Sequence, residues 1–162
     1  MIRLEHSIIV KADQQICWMF MSDLSNSLAF NRFHVQILTE PKFSFKEGSK
    51  FIIVHNFGFG NHNNEVVIKS WNPPRSMTLI EHHLEDSNKS FPHNITFRLK
   101  SKGKSTELVY LIEGTYGNRV QDATFKPILK GIIVEELYKI KQAIESTISS
   151  ELTLESGSFR TI

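Results

Sequence analysis

The chain has a single cysteine, Cys17, among its 162 residues, so no internal disulfide can staple the fold. Its place in an apolar helical run reads as a small buried hydrophobe rather than a nucleophile. Blocks of like charge are also missing. The 19 basic and 17 acidic side chains nearly cancel to +2, with the lysines scattered along the chain, which argues against nucleic-acid or membrane-surface binding. No apolar run approaches the ~20 residues that cross a bilayer, and the opening MIRLEHSIIV alternates charged and apolar residues where a signal peptide would be continuously apolar. The expectation is a cytoplasmic protein in a reducing compartment, without integral membrane contact. Catalytic signatures are scarce too. There is no G-x-S-x-G nucleophile elbow, and FGFGNHNN joins two strand-like runs without opening a helix, so it is no dinucleotide fingerprint.

What is present is one domain's worth of patterned sequence. With 40% hydrophobic residues the chain can bury a core unaided, and one domain is expected over 1–150 with a frayed tail at 151–162. Residues 2–11 alternate, with Ile2, Leu4, Ile8 and Val10 on one face. Asp13 is placed to cap a short helix carrying Ile16, Cys17, Phe20 and Met21, and a second short helix spans 23–30. Six further strand-like runs follow: HVQIL, KFIIVHNF, EVVIKSW, MTLIEHHLE, FPHNITFRLK and TELVYLIEG, each bounded by Gly, Pro, Asn or Ser. Between the third and fourth of these lies SWNPPRSM. Two consecutive prolines have fixed φ and no N–H, so they stop a sheet ladder and mark a hairpin corner.

After about residue 119 the period changes. Ile133, Leu137, Ile140, Ile144 and Ile148 recur at helical spacing, with Glu135, Lys139, Lys141 and Glu145 facing elsewhere. Pro127 and Gly131 interrupt the first half, so the regular helix either starts near Pro127 or kinks there.

The order strand, two short helices, six strands and long C-terminal helix, with FKEGSKF, the WNPPRSM corner and the hairpin GKSTELVYLIEG, resembles the SRPBCC superfamily. Within it the chain looks most like polyketide cyclase/dehydrase-like proteins. The resemblance implies an α+β helix-grip fold: a curved seven-stranded antiparallel sheet around the terminal helix, enclosing a cavity for a hydrophobic or amphipathic small molecule. It also implies that the second short helix borders the cavity mouth, where Phe30 could gate access, although Trp18, Phe20 and Phe30 read first as core anchors.

Strand alternation then selects the inward side chains. With Lys50 outward, Phe51, Ile53, His55 and Phe57 face in; with Glu65 and Lys69 outward, Val66, Ile68 and Ser70 do. Phe91, His93, Ile95, Phe97 and Leu99 share one face, as do Leu108, Tyr110 and Ile112, and His6 falls between Leu4 and Ile8. MTLIEHHLE is ambiguous, so either His82 or His83 points inward. A turn centred on Asn88 sets His83 opposite His93 and Glu81 opposite Ile95. The candidate cavity residues are therefore His55, Phe57, Glu81, His83, His93, Phe97, Tyr110 and Gly131. No cofactor is expected. No metal is expected either, because His82 and His83, as neighbours on a strand, cannot both ligate inward beside His93.

Three functions fit. A carrier or sensor for a lipid, polyketide or aromatic molecule needs only an apolar cavity with a few orienting groups. A cyclase or dehydratase needs an acid and a base converging on one volume. A chaperone co-activator-like module would have a filled interior and an exposed apolar patch.

Overall fold

The computed structural model describes residues 1–58, 60–84 and 91–157. Strand β1 (Ile2–Val10) leads into helix α1 (Gln14–Ser22), helix α2 (Leu24–Ser27) and one 3₁₀ turn (Leu28–Phe30). Six strands follow: β2 (His34–Leu38), β3 (Lys50–Asn56), β4 (Asn61–Asn72), β5 (Ser76–His83), β6 (His93–Ser101) and β7 (Thr106–Gly114). Helix α3 (Arg119–Gly157) closes the chain. The strands form one antiparallel sheet in the order β1-β7-β6-β5-β4-β3-β2. Strands β2 to β7 are a simple meander, and α1 and α2 carry the chain from one sheet edge to the other. This is the expected α+β helix-grip architecture.

Local signals account for the elements. Asp13 caps α1, its Oδ1 accepting the Ile16 N–H at 2.9 Å, and Asp23 caps α2 through Ser25 N–H at 3.0 Å. The prolines of SWNPPRSM sit in the tight β4–β5 turn, closed by Arg75 N–H donating to the Asn72 carbonyl at 2.8 Å. Helix α3 begins before Pro127, not at it. Asn118 Oδ1 accepts the Gln121 N–H at 2.8 Å, and Pro127 lies inside the helix.

The sheet's concave face and α3 bury Phe51, Ile53, Ile68, Met77, Leu79, Phe97, Leu108, Ile133, Leu137, Ile140 and Ile144, with α1 adding Cys17, Trp18 and Met21. Trp18 meets Trp71 edge-on, ring centroids 5.2 Å apart. Burial pushes the Cys17 thiol above its usual range, as an inert core cysteine requires.

Two β-bulges break the alternation that the sequence pattern assumes. In β4 the register shifts between Ile68 and Ser70, so Trp71 pairs with buried Met77 and Ser70 pairs with Thr78. Ser70 therefore faces outward and Trp71 inward, the reverse of simple alternation. In β2 the shift lies between His34 and Gln36: His34 pairs with His55 and Ile37 with Ile53. Val35, which alternation from Ile37 would bury, is 58% exposed, and His34 turns in. His6 corrects another expectation. It pairs with Tyr110 on the inner face, but on the edge strand it is exposed.

The β5–β6 register places Glu81 opposite His93 and Leu79 opposite Ile95. The expected pairing of His83 with His93 is thus displaced by two residues, which preserves the face of every side chain while changing its partner. The proposed turn centre at Asn88 lies outside the described residues, as does Phe59 of the β3–β4 loop.

Candidate functional site

Packing between sheet and helix is dense at the end where α1 sits and open at the other. The open half is a cavity of about 530 Å³. Its walls come from the ends of β3 and β4, the facing ends of β5 and β6, β7, the first half of α3, and the segment leading into β2. Phe33, Phe57, Phe91, Ile95, Ile112, Phe125, Leu129 and Ile132 supply apolar surface. Phe91 stacks on Tyr116 at 4.5 Å, and Tyr116 packs on Phe125 at 4.7 Å, so the β7–α3 connection holds one wall as an aromatic stack.

The polar groups fall into two sets. In the first, Glu81 is the centre, with 1% of its surface exposed. Its Oε1 accepts the Asn64 side-chain amide at 2.6 Å and lies 3.3 Å from His55 Nε2. Its Oε2 stands 3.8 Å from His93 Nε2 and has no hydrogen-bond partner. His34 packs edge-on against His55, ring centroids 4.5 Å apart. A carbonyl can only accept, so the hydrogen bonds from Nδ1 of His34 to Leu28 O at 2.6 Å and from Nδ1 of His93 to Phe91 O at 2.7 Å fix both tautomers. In its neutral form each ring carries its proton on Nδ1 and its lone pair on Nε2. Burial depresses the His34 imidazole to about 4 and lowers that of His55. Burial alone would raise the Glu81 carboxyl, but His93, His55, His34 and the Asn64 amide outweigh it and hold the group below its ordinary range.

The second set faces the first from α3 and β7. The Tyr110 hydroxyl and the Asn31 amide both donate to Glu136 Oε2 at 3.4 Å, while Glu136 Oε1 is buried without a partner. Burial raises the Glu136 carboxyl to about 8, with the Glu81 charge adding to the rise and Tyr110 and Lys139 opposing it. At neutral pH Glu136 is thus mostly a neutral acid. Tyr110 is itself buried and pushed well above the ordinary phenol range.

His93 owes its position to a glycine. Gly114 is its register partner, and a Cβ there would come within 2.7 Å of both His93 Cβ and the Pro92 carbonyl. Only glycine lets the start of β6 lie this close to β7.

Of the residues singled out from the sequence, His55, Phe57, Glu81, His83, His93 and Tyr110 line this cavity together. His83 is the inward member of its pair; His82 faces the other way, its Nε2 3.4 Å from Glu65 Oε1. Phe97 and Gly131 are placed otherwise. Phe97 is fully buried beneath Tyr110, ring centroids 4.6 Å apart, and belongs to the core. Gly131 is exposed, and a Cβ built on it would meet nothing within 4 Å; the helix turns Leu129, Ile132 and Glu136 inward instead.

Six described lining residues with polar groups escaped the sequence pattern: Asn31, His34, His62, Asn64, Tyr116 and Glu136. Glu136 was legible, since it falls three residues after Ile133 and four before Ile140 on the buried stripe. His34 was not, because the β2 bulge reverses the alternation. His62 and Asn64 lie in the loop-like NHNN, which the structure makes the first part of β4.

No protein-family model and no curated protein matches the sequence. Solved structures do match in fold. A conserved protein from Geobacillus kaustophilus is 16% identical with a TM-score of 0.73, covering 90% of this chain and 97% of that one. The ZhuI aromatase/cyclase from Streptomyces sp. R1128 is 13% identical with a TM-score of 0.69, covering 91% and 95%. The di-domain aromatase/cyclase StfQ of the steffimycin biosynthetic pathway, 12% identical with a TM-score of 0.69, is matched over 91% of this chain and 51% of its own length. The chain shares the fold of these aromatase/cyclases.

Proposed function

We propose that the protein binds a hydrophobic or amphipathic small molecule, of lipid, polyketide or aromatic type, in its cavity, as a carrier or sensor. One observation carries this reading: a cavity of about 530 Å³ with largely apolar walls into which a few fixed polar groups converge. That is the size and chemistry of sites for drug-sized ligands. Apolar burial supplies affinity, and the Tyr110–Glu136 and Glu81–histidine groups orient an oxygen-bearing end. An interaction module with a filled interior does not fit such a cavity.

A second reading, turnover of the cyclase or dehydratase kind, is favoured by the convergence of His83, His93 and Tyr110 with Glu136 on that one volume. A neutral Glu136 can give a proton to a ligand carbonyl oxygen, while a histidine Nε2 lone pair takes one from the adjacent carbon. The aromatase/cyclases among the fold neighbours lend this reading support.

Mass spectrometry of molecules extracted from the protein purified without detergent tests the binding reading. A stoichiometric apolar or amphipathic molecule is expected, and its absence together with failure to bind any aromatic probe would sink the proposal. Turnover is read from loss of water by a β-hydroxyketone incubated with the protein, present for the wild type and absent for Glu136→Gln.

A further inference from the structure

Ligand orientation does not account for the unpartnered oxygen of Glu81. Glu81 has one oxygen on the Asn64 amide and the other buried with no hydrogen-bond partner, a costly arrangement for a carboxylate inside a protein. Beside it stand two imidazoles, and one donor atom from each of His34, His55 and Glu81 lies within 4.8 Å of the others. We infer that His34, His55 and Glu81 form a binding site for a divalent first-row transition-metal ion of the zinc or iron(II) class, with its open coordination positions facing the cavity.

The donor set selects the ion. Two imidazole nitrogens and one carboxylate suit zinc and iron(II), whereas magnesium and calcium take oxygen ligands. The spacing is near what an ion requires. Donors at zinc-like bond lengths stand about 3.3 Å apart around a tetrahedron, and His55 Nε2 already lies 3.3 Å from Glu81 Oε1. The widest pair, at up to 4.8 Å, has to draw in on binding.

His34, Glu81 and His93 carry hydrogen bonds of the kind a metal site uses. Nδ1–H of His34 donates to the Leu28 carbonyl at 2.6 Å, which aims its Nε2 lone pair inward. The Asn64 amide fixes the rotation of the Glu81 carboxylate through Oε1, the oxygen beside His55, while Oε2 stays without a hydrogen-bond partner. His93, its own Nδ1–H on the Phe91 carbonyl, presents Nε2 3.8 Å from Glu81 Oε2 as a fourth donor within reach. A purely structural histidine–glutamate network would satisfy both carboxylate oxygens, and this one does not. The site stands on its donors alone and needs no assumption about the cavity's organic ligand, although an oxygen of that ligand could complete the coordination.

The test uses the full chain stripped with chelator and titrated with Co²⁺ by absorption spectroscopy and with Zn²⁺ by calorimetry. One Co²⁺ per chain is expected, with the ligand-field bands of a low-coordinate ion, displaced by Zn²⁺ and not by Mg²⁺. His34→Gln, His55→Gln and Glu81→Gln should each weaken binding at least ~10-fold, while His62→Gln and His83→Gln leave it unchanged. X-ray absorption of the cobalt-loaded wild type needs no variant to fold, and it should report two imidazoles in the first shell, or three where His93 joins them. No saturable Co²⁺ binding, an all-oxygen first shell, or binding that survives Glu81→Gln and His55→Gln would overturn the inference. Binding of N-phenyl-1-naphthylamine to the chelator-treated protein is read separately, so a failed metal site and a failed ligand cavity give different results.

Discussion

The Tyr110 hydroxyl of β7 donates to Glu136 Oε2 of α3 across 3.4 Å, tying the sheet to the helix at the inner wall of the cavity. Burial holds this carboxyl at about 8 against an ordinary 4.5. The folded state therefore retains a proton that the unfolded chain releases, and stability contributed by the neutral group is present below pH 4.5 and lost as pH rises to about 8. Glu136→Gln removes that titration. Urea midpoints measured from pH 5 to 9 should show the variant gaining on the wild type up to about pH 8 and holding a constant lead above it. Parallel pH profiles would contradict the burial argument.

His82 and His83 differ only in the face they present. A tryptophan at position 83 would project into the cavity, one at position 82 toward Glu65 and solvent. Fluorescence titration with N-phenyl-1-naphthylamine should give at least a ~10-fold loss of affinity for His83→Trp, the equivalent of about 1.4 kcal/mol, and no change for His82→Trp. The opposite pattern would mean that β5 presents its other face.

Gly114→Ala inserts a methyl group 2.7 Å from the Pro92 carbonyl, a backbone atom that cannot swing aside. The start of β6 must move, at a cost of about 1–3 kcal/mol, as for other overpacked sites. Chemical denaturation measures the loss, and the same shift displaces His93 and lowers probe affinity. Unaltered stability would show that the two strands are not in contact there.

Phe97 and Phe57 both point to the concave side, yet one is fully buried and the other 50% exposed at the cavity rim. Phe97→Ala should cost about 3–5 kcal/mol, and Phe57→Ala less than ~1 kcal/mol while weakening probe binding. Equal stability losses would place both in the core.

Element types and their order were readable because each strand alternates over a turn-bounded run and α3 repeats its isoleucines at helical spacing. The inward residues His55, His93 and Tyr110 followed from that alternation, whereas Glu81 lay on a strand whose two faces alternation left open. What alternation could not supply was the position of a bulge: one extra residue in β2 turned His34 inward, and one in β4 exchanged Ser70 for Trp71. The β5–β6 register was displaced by two because it depended on a turn centre that no Gly or Pro pins. Gly131 looked like a helix interruption facing the sheet. In a continuous helix from Arg119 its rotation is set instead by Ile133 and Leu137, which turn it to solvent.

On the proposed reading the space between α3 and the sheet takes an apolar molecule, and filling that space is its sharpest probe. Leu129 lines the cavity from α3, so Leu129→Trp should occupy volume there without disturbing the sheet. Titration of the wild type with N-phenyl-1-naphthylamine should give saturable binding at one site with enhanced, blue-shifted emission, and Leu129→Trp should abolish it while melting at or above the wild-type temperature. Saturable binding that is indifferent to Leu129→Trp, or no binding by the wild type, would rule out an apolar ligand in this cavity.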